Sequence, residues 1–319
     1  MDGRASDLPR FRFDRTVPDD GYCWWYVDVL SDDGKLGLTI IAFIGNVFSP
    51  YYAWARRKGP ADPHAFPAMN VVLYGHGHKR WALTERRRDA LSRDATSLAI
   101  GPSQMRWEGD ALVVEFDERT MPVPGRIKGS VRLTPSGETP QIFALDAGGR
   151  HMWWPIAPAS RAQVTLEHPN VSFSGDAYFD MNFGARPLEA DFDWWNWSRA
   201  PTSRGACVLY DVIRLDGSRQ VLALDIGRDG SVRDVDTPPL APLPPGTIWR
   251  MPRETRADAG GAPKVLKTFE DTPFYTRSEI ATRLLGEDVR AMHESLSMPQ
   301  FTKRWVQMLL PFRMPRRFV

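Results

Sequence analysis

Tyr22-Cys23-Trp24-Trp25-Tyr26-Val27-Asp28-Val29-Leu30 is an aromatic and β-branched run, closed by Ser31-Asp32-Asp33-Gly34 and answered by an apolar run from Gly37 to Ile44. Two extended runs about a tight turn predict a β-hairpin. The unit recurs outward from there. Asn70 to Tyr74 and Lys79 to Leu83 flank Gly75-His76-Gly77, Gln104 to Trp107 and Ala111 to Phe116 flank Glu108-Gly109-Asp110, and Arg126 to Leu133 leads to Pro135-Ser136-Gly137. With no helical periodicity between them, these spacings predict an up-and-down antiparallel sheet or barrel.

His168-Pro169-Asn170 interrupts the pattern, and the same grammar restarts beyond it. Val171 to Phe173, Ala177 to Asn182, Phe192 to Trp197, Ala206 to Arg214, Arg219 to Ile226 and Thr247 to Met251 read as strands, with Pro238 to Pro245 as a rigid connector. Helical spacing is confined to Ser278–Leu285, Glu287–Leu296 and Gln300–Leu310. The expected organisation is all-β: a polar leader 1–20, an N-terminal β-domain 21–168, a C-terminal β-domain 169–277 and a short helical, basic tail 278–319.

Composition narrows the function classes. A net charge of +2 over 319 residues gives no reason to expect a nucleic-acid partner. Twelve Trp are an enrichment, and 27 Pro with 25 Gly punctuate the chain too often for long helices. Cys23 and Cys207 stand far apart without a CxxC partner, which predicts two buried thiols in a reducing cytoplasm. Met1 to Asp20 shows no secretory pattern, and no apolar stretch is long enough for a spanning helix. In the tail, Phe301, Trp305, Met308 and Leu309 share one side beside Lys303 and Arg304, with Arg313, Arg316 and Arg317 following. That pattern suits either a segment resting on a membrane surface or a terminal helix docked on the barrel.

No metal set stands out among His64, His76, His78, His151, His168 and His293. Only His76 and His78 are close, and they sit in a Gly-rich turn without a third ligand. Phosphate loops, dinucleotide fingerprints and a nucleophile elbow are also missing. Two segments remain. Strand alternation places His151 and Trp153 on one face and Met152 and Trp154 on the other, and it sets Tyr178, Asp180 and Asn182 opposite Phe179, Met181 and Phe183. Each segment thus has a chemically active face and a greasy one, and an inward Asp among aromatics is costly unless paired. Spacing alone leaves a purely structural use open: a turn Asp, a satisfied core His, a packing Trp.

At these residues the chain resembles the carotenoid 1,2-hydratases, or hydroxyneurosporene synthases, of purple photosynthetic bacteria. The likeness runs through Gly21-Tyr22-Cys23-Trp24-Trp25-Tyr26, Ile44 to Tyr52, the His151 and Asp180 segments, and Glu270-Asp271-Thr272-Pro273-Phe274-Tyr275. The resemblance implies a pair of lipocalin-like β-domains and hydration of the terminal double bond of acyclic carotenoids such as neurosporene or lycopene, giving a tertiary alcohol at C1 without metal or organic cofactor. It also implies that a His-x-Trp and a Tyr-x-Asp segment carry activity, here His151, Trp153, Tyr178 and Asp180.

Chemistry then suggests roles. Asp180, desolvated and neutral, would protonate the alkene, and the Trp153 indole would stabilise the tertiary carbocation. His151 would take the proton of the attacking water, and Tyr178 would hold the acid or the water. Trp24, Trp25, Trp154, Trp194, Trp195 and Trp197 are the candidates for lining a polyene tunnel. A substrate this apolar places the enzyme on the cytoplasmic side of the inner or photosynthetic membrane, held there by its basic tail. A carrier of an apolar polyene, or a pericyclase or isomerase on the same scaffold, remain as competing readings.

Overall fold

The computed structural model describes residues 11–75 and 79–317, so the first half of the leader and the His76/His78 pair lie outside the described residues. Twelve strands form the first sheet: β1 (Tyr22–Ser31), β2 (Gly37–Ile44), β3 (Ala68–Tyr74), β4 (Arg80–Glu85), β5 (Leu91–Arg93), β6 (Ser97–Ile100), β7 (Ser103–Glu108), β8 (Ala111–Thr120), β9 (Gly125–Pro135), β10 (Phe143–Ala144), β11 (His151–His168) and β12 (Val171–Gly184). Their order is β4-β3-β2-β1-β12-β11-β9-β8-β7-β6-β5, with β10 on β11, and every pairing is antiparallel. The sheet rolls until β4 packs against β8 and β9, where the Met121 amide donates to the Trp81 carbonyl at 2.9 Å.

The second sheet holds β13 (Phe192–Pro201), β14 (Gly205–Arg214), β15 (Arg219–Gly227), β16 (Val232–Asp234), β19 (Lys264–Asp271), β20 (Tyr275–Leu284) and β21 (Glu287–Ser297), in the order β16-β15-β14-β13-β21-β20-β19. A two-stranded ribbon, β17 (Leu240–Leu243) with β18 (Arg253–Arg256), packs against β13 and β21. The fold is thus two lipocalin-like antiparallel β units with short C-terminal helices.

β1 shows why a near-continuous apolar run makes a central strand. Its odd positions, Cys23, Trp25, Val27 and Val29, enter the core inside the first sheet. Its even positions, Tyr22, Trp24 and Tyr26, enter a second core with Trp195, Trp197, Tyr210 and Leu296 from the other sheet. Both faces are buried, so the hydrophobic pattern does not alternate. The two thiols are buried, Cys23 in the first core and Cys207 in a third, behind the second sheet.

Three expectations need correction. Ser278–Leu285 and Glu287–Leu296 are not helical; they form most of β20 and β21, joined at Leu285 and Gly286, whose positive φ angles of 54° and 79° suit a tight hairpin turn. Among the described residues helix is confined to α1 (Pro50–Arg56), α2 (Met298–Phe301), α3 (Arg304–Arg313) and brief 3₁₀ turns. Thr247 to Met251 is a loop rather than a strand. His168-Pro169-Asn170 lies at the β11–β12 hairpin, so β12 and Asp180 with it belong to the first sheet, and the chain crosses to the second between Gly184 and Phe192.

Charged groups pin the sheets together. Arg199 of β13 donates to Asp28 of β1, both buried, and Arg277 of β20 reaches Tyr26 and Thr39 of the first sheet.

Candidate active site

Register places the site at the seam. Tyr26 on β1 lies opposite Asp180 on β12, Trp24 opposite Asn182, and on the far side Asn182 pairs with Trp153 of β11. All of these point toward the second sheet, where Trp197 of β13 is flanked by Tyr210 on β14 and Glu294 on β21, itself opposite Arg277 on β20. A chamber of about 40 Å³ lies between them, walled by Trp24, Tyr26, Asp180, Trp197, Tyr210 and Glu294. One water needs roughly 10–15 Å³ by that measure, so the chamber has room for more.

Asp180 is 4 % exposed. Its Oδ2 accepts from Trp153 Nε1 at 2.8 Å and from Tyr178 Oη at 2.7 Å. Its Oδ1 is buried and has no hydrogen-bond partner. Burial pushes this carboxyl up to about 8, opposed by the two donors. Near neutral pH the group therefore carries a proton. With Oδ2 already accepting twice, the proton belongs on Oδ1.

His151 is placed differently. It pairs with Gly184, four residues beyond Asp180, roughly 13 Å along β12, and does not line the chamber. Its Nε2 meets Asp191 Oδ2 at 2.9 Å and its Nδ1 meets Tyr22 Oη at 2.9 Å. A carboxylate only accepts, so Nε2 carries the hydrogen and Nδ1 accepts from the phenol. Burial lowers its pKa below the usual histidine value. Gly184 makes the Tyr22 contact possible, since a Cβ there would lie 2.6 Å from the Tyr22 ring. Trp153 is fully buried, with Phe143 and Tyr210 rings against it, and reaches the site through its N–H rather than through an open face.

The six tunnel candidates divide by alternation. Trp24, Trp195 and Trp197 line the chamber. Trp25 and Trp154 point into the core of the first sheet, where Trp154 donates to the Thr139 carbonyl at 2.7 Å, and Trp194 turns to Asn196. Adjacent Trp pairs on a strand must face opposite ways, so at most one of each pair reaches the seam.

Beside the chamber lies a larger, mostly apolar cavity of about 240 Å³, which shares Trp24, Tyr26, Trp195 and Glu294 with it. Phe43, Phe48, Trp81 and Phe274 form its walls, and all six residues from Glu270 to Tyr275 border it. At its rim stand Trp249 and, from α3, Leu309 and Arg313. Sequence reasoning did not pick out Glu294, Arg277 or Trp249, and it set Leu309 and Arg313 in the tail without linking them to a cavity. Tyr26 had a signal: two residues after Trp24, it shares that residue's face.

Two packed lipocalin-like sheets, with a buried acid in a small chamber beside a larger apolar cavity, define the class of β protein to which the chain belongs. Within that class, the family model described as carotenoid hydratase CrtC matches residues 40–319, and the chain belongs to this family of hydro-lyases. The acyclic carotenoid 1,2-hydratase of Thiocapsa roseopersicina is 50 % identical over 305 residues, covering 96 % of this chain and 75 % of that protein. The one from Rubrivivax gelatinosus is 47 % identical over 311 residues, covering 96 % and 76 %. Among solved structures, a candidate AttH from Nitrosomonas europaea superposes with a TM-score of 0.59 at 15 % identity, over 86 % of this chain and 92 % of that one. CghA bound to Sch210972 gives 0.56 at 12 %, over 92 % and 96 %; at these identities the likeness speaks to the fold alone.

Proposed function

We propose that this enzyme hydrates the terminal C1–C2 double bond of an acyclic carotenoid such as neurosporene or lycopene to a tertiary 1-hydroxy product, using side chains and water with no cofactor. The observation that carries the reading is Asp180 Oδ1, an unpartnered buried acid oxygen on a residue that lines an aromatic chamber. The Oδ1 proton passes to C2 and leaves a tertiary cation at C1, which water captures. Trp24, Trp195 and Trp197 flank that cation, and an indole face is worth about 2 kcal/mol to a desolvated cation. Trp153 and Tyr178 aim the acid by holding Oδ2. The contribution of His151 is positional: through Tyr22, which stacks on Trp24 at 5.0 Å, it fixes one wall of the chamber.

A cavity of this size holds one end of a carotenoid, whose length is comparable to a bilayer's hydrocarbon thickness of about 30 Å. The remainder must stay in an apolar phase. α3 suits that need: Val306 and Leu310 dock inward, while Trp305, Met308, Leu309 and Phe312 are exposed. Trp249 stacks on Trp305 at 5.8 Å beside the cavity mouth, and Arg304, Arg313, Arg316 and Arg317 follow the same segment. We therefore read this face as resting on an anionic membrane surface. No helix among the described residues is long and apolar enough to cross a membrane.

The test is purified protein with lycopene in detergent and heavy-oxygen water, without added cofactor. Label in a tertiary alcohol is expected from the native chain and not from Asp180→Asn. Binding without product from either would favour a carrier, and rearranged but unhydrated polyene an isomerase.

A further inference from the structure

Hydration needs a destination for the proton of the attacking water, and His151, with both nitrogens engaged away from the chamber, does not offer one. One other carboxyl lines the chamber. Glu294 stands on β21, across the seam from β12, and borders both the chamber and the larger cavity. Its Oε1 accepts from Arg277, a fully buried guanidinium that also donates to Tyr26 and Thr39. Its Oε2 has no hydrogen-bond partner among the described residues and is not enclosed by protein. One oxygen is thus anchored and the other is free, on a residue that lines the chamber together with Asp180.

We infer that Glu294 is the base that orients the attacking water and receives its proton, so that acid and base are divided between the two sheets. This deepens the hydration reading and rests on it. Asp180 gives its proton to C2 as the π pair forms the C2–H bond. A water lone pair then forms the C1–O bond, and the O–H pair stays on oxygen as the proton passes to Glu294. One proton relayed through chamber water from Glu294 to the Asp180 carboxylate restores both groups. H and OH are added with no change of oxidation state overall. With the two groups on opposite walls, they add to opposite faces of the alkene.

The experiment compares native protein, Glu294→Gln and Asp180→Asn on lycopene in deuterated water. Loss of a general base costs about 10²–10⁴-fold, so Glu294→Gln should lose hydration by at least a hundredfold. It should still place deuterium at C2 of recovered lycopene, because Asp180 can protonate the alkene and take a proton back. Asp180→Asn should lose both reactions. Hydration by Glu294→Gln within threefold of native, or exchange lost in parallel with hydration, would overturn the assignment of Glu294. Turnover by Asp180→Asn would instead overturn the hydration reading beneath it. A second measurement needs no variant: native enzyme acting in deuterated water on lycopene labelled in one C1 methyl should give anti addition. Syn addition would mean that one carboxyl does both jobs and Glu294 is not the base.

Discussion

The phenol of Tyr178 donates to Oδ2 of Asp180 at 2.7 Å from two residues away on the same strand. The indole N–H of Trp153 reaches the same oxygen from the neighbouring strand at 2.8 Å. Both donors favour the ionised carboxylate, yet burial outweighs them and the group's pKa rises to about 8. The outcome is a carboxyl fixed in direction by one oxygen and free to donate from the other. Desolvation sets the proton affinity and hydrogen bonding sets the aim, so the two can be altered separately.

Turnover by the native enzyme should decline as the pH rises through about 8, where Asp180 gives up its proton. Tyr178→Phe removes a group that lowers that pKa, so the alkaline limb should move to higher pH. At pH 7 the rate should fall by about five- to tenfold, the worth of one hydrogen bond of ~1–1.5 kcal/mol. A pH–rate profile for both proteins checks this; a limb shifted to lower pH would contradict the assignment of Asp180 as the acid.

The same carboxyl makes stability pH-dependent. Between its ordinary value of 3.8 and about 8, the folded chain holds a proton that the unfolded chain has released. Unfolding therefore releases a proton in that window, and stability falls as the pH climbs through it. Asp180→Asn keeps an acceptor for Trp153 and Tyr178 and carries no charge. It should melt higher than the native chain at pH 8, with the advantage shrinking toward pH 4. Thermal unfolding across that range is the measurement, and an unchanged difference from pH 4 to 8 would count against the raised pKa.

What could be read in advance follows from what the seam is made of. Hairpins on the first sheet were legible because their buried faces are apolar and their turns carry Gly, Asp and Ser, as in Tyr22 to Ile44. Asp180 and Trp153 were legible because alternation sets each against a greasy opposite face. β20 and β21 were read as helices because the side chains they set at the seam include the buried Arg277 and Glu279 and the half-buried Glu294, which erase the apolar alternation that marks a strand. The polar groups at the seam thus hid half of it. The cavity rim, where the loop bearing Trp249 meets α3, depends on contacts between segments more than fifty residues apart, and no local pattern encodes them.

Arg199 and Asp28 are each almost wholly buried, on opposite sheets. Removing one partner leaves a buried charge without its counterion, which typically costs about 3–5 kcal/mol. Arg199→Met should lose stability of that order in urea unfolding, and adding Asp28→Asn should restore part of it. A double variant no more stable than Arg199→Met would show that the pair contributes through packing rather than charge compensation.

Met308 and Phe312 are 67 % and 71 % exposed on α3, and neither borders the cavity. Replacing both with Ser should leave the fold and the chamber as they are, since the inward side of the helix is carried by Val306 and Leu310. If this face rests on a bilayer, the double variant should bind anionic vesicles about tenfold or more weakly, because two buried apolar side chains are worth about 1.5–3 kcal/mol each. Hydration of lycopene delivered in liposomes should drop accordingly, whereas hydration in detergent micelles should stay near native. Higher salt should weaken vesicle binding of the native chain further, given the Arg residues beside the patch. Equal losses in detergent and liposomes would place the defect in the catalytic chamber and remove the case for a membrane-facing helix.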